Sequence, residues 1–181
     1  MLPHKSAALA GVVGVAGIDP ALDAELRVEG LIAENEVKLA RFVRRFNLDR
    51  DAALDVVQDV FFAAYRTLLA DPQRPLTAGW LYKAAANRAV SVLRKQRRTA
   101  DAGRADVAGA FRTDEQSAVS LDVQAALRTL GGEQLSCVLL TAYAGYSSQE
   151  AAALLGISPE AVRQRVSRAM RALRPLLRGP E

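Results

Sequence analysis

Cysteine and histidine occur once each in this chain of 181 residues, as Cys137 and His4. A lone cysteine excludes an intrachain disulfide and fits a reducing, cytoplasmic setting. Cys137 stands inside the apolar run LSCVLLTAY, where core packing is the expected role. One histidine, placed in a tail, leaves nothing from which to build a zinc centre or histidine-based catalysis, so no metal, cofactor or catalytic residue is assigned. Aromatic residues make up only 6%. Ala and Leu dominate instead, which favours helix over sheet, and neither a strand pattern nor an internal repeat is visible. The apolar stretch Ala7 to Ile18 is too short to cross a bilayer, and no membrane association is expected. Gly11, Gly14 and Gly17 disfavour a stable helix there, so residues 1–20 are read as a flexible extension.

What the chain does contain is helical periodicity and concentrated positive charge. The formal net charge is +4, yet half of the 24 Lys and Arg lie in two short tracts, Lys83 to Arg98 and Arg163 to Arg178. Each tract holds six cations and no acid. Two separate basic surfaces suggest two contacts with nucleic acid.

The densest pattern is Tyr146 to Leu177, YSSQEAAALLGISPEAVRQRVSRAMRALRPLL. Ser147 and Glu150 form a capping box. A short helix follows, packed through Ala151, Ala152 and Leu155, and Gly156 supplies the positive φ of a tight exit. Ser158 caps a second helix with Pro159 at its first position. Val162, Val166, Met170, Leu173 and Leu177 form its apolar stripe. Gln164, Ser167, Arg168 and Arg171 point the other way, with Arg163 and Arg165 on the flanks. Two helices joined by a Gly turn, the second rich in exposed Arg, make a helix-turn-helix whose second helix enters the major groove. The competing reading is an αα-hairpin with a solvated Arg face, but solvation alone does not need six Arg without an acid.

Upstream, Asp19-Pro20 opens a helix with apolar residues from Leu22 to Phe46. Asn47 to Arg50 reads as a turn. Asp51 to Ala70 is a second helix, with Leu54, Val57, Phe61, Ala64, Tyr65 and Leu68 on one face and Asp55, Gln58 and Asp59 outside. DPQRPLT, from Asp71 to Thr77, is a loop. Thr77 caps a third helix from about Ala78 to Arg98. There Trp80 and Tyr82 stand beside Lys83, Asn87, Arg88 and Arg94, a mixture that suits unstacked bases. The alternative is that the two rings are core and the cations answer the helix dipole. Thr99 to Ser120 lacks periodicity and is acidic, a linker. Leu121 to Leu130 and Glu133 to Ala144 are further helices, separated by Gly131-Gly132. The expected fold is all-α: a domain at 21–98, a linker at 99–120, and a four-helix domain at 121–178.

Taken in order, WLYKAAANRAVSVLRKQRR, an acidic linker and EQLSCVLLTAYAGYSSQEAAALLGISPEAVRQRVSRAMRAL resemble the bacterial RNA polymerase sigma factors of the extracytoplasmic-function group. The resemblance covers about Leu22 to Leu177. It implies a subunit that binds core RNA polymerase and directs promoter recognition, DNA melting and initiation, without being an enzyme. It implies that Asp55, Gln58, Asp59 and Phe61 contact core polymerase. Trp80, Tyr82, Lys83, Asn87, Arg88 and Arg94 would serve the minus-ten element. Arg163, Gln164, Arg165, Ser167, Arg168 and Arg171 would serve the minus-thirty-five element. An anti-sigma factor is a further implied partner. Ala86 and Ser91 stand where the family commonly has a basic residue and an Asp, and Gly131-Gly132 replaces its usual prolines. Sites about one and a half turns apart on DNA are separated by roughly 50 Å, and the linker reaches at most ~75 Å. Two other readings compete. A stand-alone helix-turn-helix regulator would not co-purify with core polymerase. A recombinase-like enzyme would need a nucleophile beside Arg or a carboxylate set for Mg²⁺.

Overall fold

The computed structural model describes residues 19–101 and 118–177, which form seven α-helices and no strand. They are α1 (Pro20–Arg44), α2 (Arg50–Ala70), α3 (Ala78–Asp101), α4 (Ala118–Arg128), α5 (Gly132–Val138), α6 (Ser148–Leu155) and α7 (Pro159–Leu177). The all-α expectation is met. The proposed extension up to Ile18 and most of the proposed linker, 102–117, lie outside the described residues. Helix α3 continues to Asp101, past the expected stop at Arg98, and α4 begins at Ala118, before the expected Ser120 cap.

Local chemistry sets the helix ends. Asp19 accepts a bond from the Ala21 N–H at 2.9 Å, with Pro20 following as the first helical residue. Asp49 accepts from the Ala52 N–H at 2.7 Å, starting α2 one residue earlier than the pattern implied. Thr77 Oγ1 accepts from the Trp80 N–H at 3.3 Å, the expected cap of α3. Asn47 takes φ 56° in the tight turn between α1 and α2, a conformation that Asn tolerates better than most residues.

Helices α1, α2 and α3 pack on one another, and α4 to α7 form a second group around α7. The first group is centred on Leu39, Phe42, Val43 and Phe46 of the α1 end, with Val56, Val60 and Leu68 of α2 and Leu81 of α3. The second is centred on Leu135, Cys137, Leu140, Ala151 and Val162. The groups also touch: α3 packs on α5 and α6, and the buried residues form one continuous cluster.

Within the helices, two positions and one segment differ from the expected core pattern. Leu54 was placed on the core face of α2 but is 47% exposed, whereas Val56 and Val60 lie inside. Met170 was placed in the α7 stripe but is 48% exposed, and Ala169 takes the buried position. The expected helix over Glu133 to Ala144 is not regular: a π-helical turn, Leu139–Tyr143, continues α5. The wider turn rotates Tyr143 toward the first group, whose Phe42 ring lies 6.4 Å away.

The adjacent phenylalanines of α2 provide a test of the core assignment. Phe61 is 7% exposed and Phe62 is 60% exposed. Phe61→Ala is expected to lower unfolding free energy by about 3–5 kcal/mol in urea denaturation. Phe62→Ala is expected to change it by no more than ~0.5 kcal/mol.

Candidate nucleic-acid and polymerase interfaces

The helix-turn-helix is built as its caps require. Glu150 accepts from the Ser147 N–H at 2.7 Å, and Ser147 Oγ accepts from the Glu150 N–H at 3.2 Å. Gly156 closes α6 at φ 70°, where a side chain would be strained. Ser158 Oγ accepts from the Ala161 N–H at 3.1 Å and starts α7. Val162, Ala169 and Leu173 are buried, and Ala151 and Ala152 of α6 are buried with them. Burying this stripe turns Arg163, Gln164, Ser167, Arg168 and Arg171 outward. Arg163 is held by Glu160 at 2.6 Å on the exposed first turn.

Arg165 does not belong to that outward set. It reaches Glu133 of α5 at 2.9 Å, with its side chain 31% exposed. Its phase lies about 40° beyond Ala169, on the flank of the buried stripe, so the helix turns it toward the core edge. There it joins α7 to α5 beside the Cys137 thiol. Burial pushes that thiol's pKa up, against the opposing pull of the Arg165 guanidinium.

Helix α3 divides its candidate residues between faces. Trp80, Lys83, Asn87 and Arg94 recur at helical spacing along one side, where Asn87 and Arg94 are exposed and Trp80 and Lys83 half-buried. Arg88 is exposed but pairs with Asp59 of α2 at 2.6 Å. Tyr82 lies nearly opposite Trp80, at two residues' rotation, and points inward. Its ring meets Phe42 edge-on at 4.8 Å and Tyr146 at 5.9 Å. The sequence reading of Tyr82 as an open stacking platform therefore does not hold in this arrangement. Ala86 is fully buried, so the side chain at this position cannot serve as an open contact. Ser91 donates to the Asn87 carbonyl at 3.0 Å.

On α2, Asp55 and Gln58 are exposed and Asp59 is half-buried in its pair with Arg88. Phe61, assigned to the same surface, is in the core because Val57, Phe61, Ala64 and Leu68 occupy the inward phase. Its neighbour Phe62 stands outside, with Leu54 and Leu69 also exposed on α2. Sequence reasoning missed Phe62 and Leu54. The four-residue steps from Leu54 to Gln58 to Phe62 were the available signal.

Among the described residues no helix is long and apolar enough to cross a membrane. No group of three or more His, Cys, Asp or Glu among them is placed to hold a metal ion.

Two family models match the chain: Sigma-70 region 2 over residues 31–99 and Sigma-70, region 4 over residues 120–173. The RNA polymerase sigma factor CnrH of Cupriavidus metallidurans is 35% identical over 162 residues, covering 81% of this chain and 84% of CnrH. The chain belongs to the RNA polymerase sigma factors of the extracytoplasmic-function group. The ECF sigma factor SigL of Mycobacterium tuberculosis is 31% identical, covering 92% of this chain and 94% of SigL. The solved structure of CnrH in complex with the cytosolic domain of CnrY matches with a TM-score of 0.64 at 30% identity, over 90% of this chain and 96% of that one. The RpoE structure from Bartonella quintana, in complex with the anti-sigma factor NepR, shares the fold, with a TM-score of 0.68 at 24% identity and coverage of 84% and 98%.

This sigma factor therefore directs promoter recognition as a subunit of RNA polymerase, within a class of non-catalytic initiation factors. The stand-alone regulator reading gives way to it, because both regions match in order. The region 2 match contains the α2 and α3 surfaces, and the region 4 match contains the α7 face.

The tyrosines between the two groups carry a measurable signature. Burial, then the neighbouring Tyr82 and Glu150, raises the Tyr146 pKa to about 12. Tyr82 is also raised, by burial and by Tyr143. A raised phenol favours the folded state fully below its ordinary value near 10, and that contribution is lost as pH climbs through the folded value. Ultraviolet titration of the phenolates should show one ionising near 12 that Tyr146→Phe removes. Stability of the wild type should fall from pH 10 to 12 more steeply than that of the variant.

Proposed function

We propose that α7 reads the minus-thirty-five element, the Trp80 side of α3 engages the minus-ten element, and α2 docks on core RNA polymerase. The observation that carries this reading is the α7 face. Arg163, Gln164, Ser167, Arg168 and Arg171 are all exposed on a helix whose opposite side is buried. Arg and Gln near the start of a recognition helix match the acceptor and donor edges of G and A in the major groove. Arg171 and Arg174 follow along the backbone, where guanidinium groups hold phosphates.

For DNA opening, Trp80 supplies a half-exposed ring and Asn87 and Arg94 supply polar and charged partners along the same side. For polymerase, Leu54 and Phe62 set two exposed apolar groups among Asp55 and Gln58, a mixture typical of protein interfaces. Arg88 and Asp59 neutralise each other at the border between the two surfaces. An exposed pair of this kind contributes about 0–1 kcal/mol, so a partner can replace it.

The protein acts by binding alone, in the cytoplasm. An anti-sigma protein is its regulatory partner, a reading supported by the complexes in which CnrH and RpoE were solved.

Two mutant sets test the assignment. Truncating Arg163 or Arg168 to Ala should cost about 1–3 kcal/mol of holoenzyme affinity on the right promoter and relax base preference there. Arg174→Ala should weaken all sequences alike and lower the salt dependence. Equal losses on specific and random DNA for all three variants would overturn base reading by α7. Separately, Asp55→Lys with Phe62→Ala should abolish co-purification with core polymerase while leaving circular dichroism unchanged. Assembly at wild-type affinity would remove α2 from that interface.

A further inference from the structure

The loop between α2 and α3 is exposed, yet it is held more firmly than a short connection needs. Asp71 donates its N–H to the Thr67 carbonyl at 2.9 Å, and Arg74 donates its N–H to the Asp71 carbonyl at 3.0 Å. Asp71 Oδ1 accepts from the Gln73 N–H at 3.2 Å. Pro72 and Pro75 fix their own φ and restrict the residues before them. Leu76 is buried and Thr77 caps α3, so the end of the loop is already anchored. A further clamp comes from the first half of α1. The Arg27 guanidinium donates through Nη1 to the Pro72 carbonyl and through Nη2 to the Arg74 carbonyl at 3.2 Å. The Asp23 carboxylate, one turn earlier, lies 3.7 Å from Nη1.

We propose that Arg27 is a positioning residue for promoter reading: it splints the tip of this loop so that the Gln73 amide meets an unstacked minus-ten base in fixed register. The proposal rests on the reading of α3 as the minus-ten helix, because the loop leads through the Thr77 cap into Trp80. The two carbonyls that Arg27 grips lie one on each side of Gln73. The backbone on both sides of that residue is thereby fixed, while its side chain is left outside.

The clamp is not needed to join the helices, since Leu76 and Thr77 already tie the loop to the core and start α3. What Arg27 adds is order at residues 72–74, all of them exposed. Ordering an exposed tip costs chain entropy, and the return goes to whatever binds there, which then loses less freedom on binding. The side chains of Gln73 and Arg74 have no partner among the described residues. An amide presents a donor and an acceptor together, which match the edge of one base and not of the next. A base taken out of the stack exposes that edge. The Arg74 guanidinium, one residue on, suits the neighbouring phosphate. Arg is the side chain such a splint requires, because its planar fork reaches two acceptors at once where an ammonium acts as a point charge.

Holoenzymes assembled with full-length variants test the splint on a promoter library randomised through the minus-ten element. Gln73→Ala should flatten base preference at one minus-ten position roughly tenfold. Arg27→Gln should flatten the same position to a similar extent. Arg27→Lys keeps the charge but not the fork, and should flatten it as well. Combining Arg27→Lys with Gln73→Ala should give no further loss, because the two residues act as one unit. Preference at the minus-thirty-five element and affinity for core polymerase should match wild type throughout. Urea midpoints are measured alongside. Arg27→Lys and Gln73→Ala should unfold as wild type does, so the test stands without Arg27→Gln should that variant fold poorly.

Full minus-ten preference in a folded Arg27 variant would overturn the splint, as would full preference in Gln73→Ala. So would additive losses in the double variant, since Arg27 would then act other than through Gln73. Losses spread equally over both promoter elements would overturn it too, because they mark a loosened fold. A minus-ten preference untouched by Trp80→Ala and Arg94→Ala would instead overturn the reading of α3.

Discussion

The first helical group is organised around the buried Phe42, which also meets the second group. Its ring is fully enclosed, edge-on to Phe46 at 5.4 Å within α1's own exit and to Tyr82 of α3 at 4.8 Å. It also faces Tyr143 of the second group. One side chain thus joins the end of α1, the start of α3 and the π-helical turn after α5. Aromatic rings bury large areas with defined mutual angles, and a chain with few aromatics has concentrated them at this junction.

The remaining surfaces follow from that junction. With Tyr82 directed inward, the opposite side of α3 carries Trp80, Lys83, Asn87 and Arg94. With Val57, Phe61 and Ala64 facing the same core, α2 turns Asp55, Gln58 and Phe62 outward. In the second group, Val162 and Leu173 anchor α7 and leave its Arg face free of the protein body. Arg165 and Glu133 tie α7 to α5, so α7 is held by an ion pair as well as by apolar packing. Positioning matters because base readout needs side chains held in register, whereas phosphate contacts tolerate more play.

Much of this was legible in the sequence. The caps at Ser147, Glu150 and Ser158, the left-handed Gly156 and the inward Val162 are local chemistry, and each is where the pattern placed it. Helix phase was less secure. Leu54 and Val56 stand nearly opposite each other and Met170 and Ala169 about 100° apart, but both members of each pair are apolar, so apolarity alone cannot choose between them. On α7 the smaller residue, Ala169, is the buried one. The adjacent Phe61 and Phe62 posed the same ambiguity, and Phe61 went to the core. The meeting of Tyr82 with Tyr146 and of Phe42 with Tyr143 was not legible at all, because contacts between distant segments leave no period in the chain. The inward turn of Arg165 was hidden for the same reason: its partner, Glu133, lies on another helix.

The central claim is that this chain confers promoter choice on RNA polymerase through two separate DNA-reading helices. The most direct measurement is in vitro transcription of a genomic library by core polymerase with and without the purified chain, followed by mapping of the start sites. The account predicts chain-dependent starts that share two upstream sequence elements at constant spacing. Starts that are unchanged when the folded chain is added, or that share no upstream sequence, would contradict it.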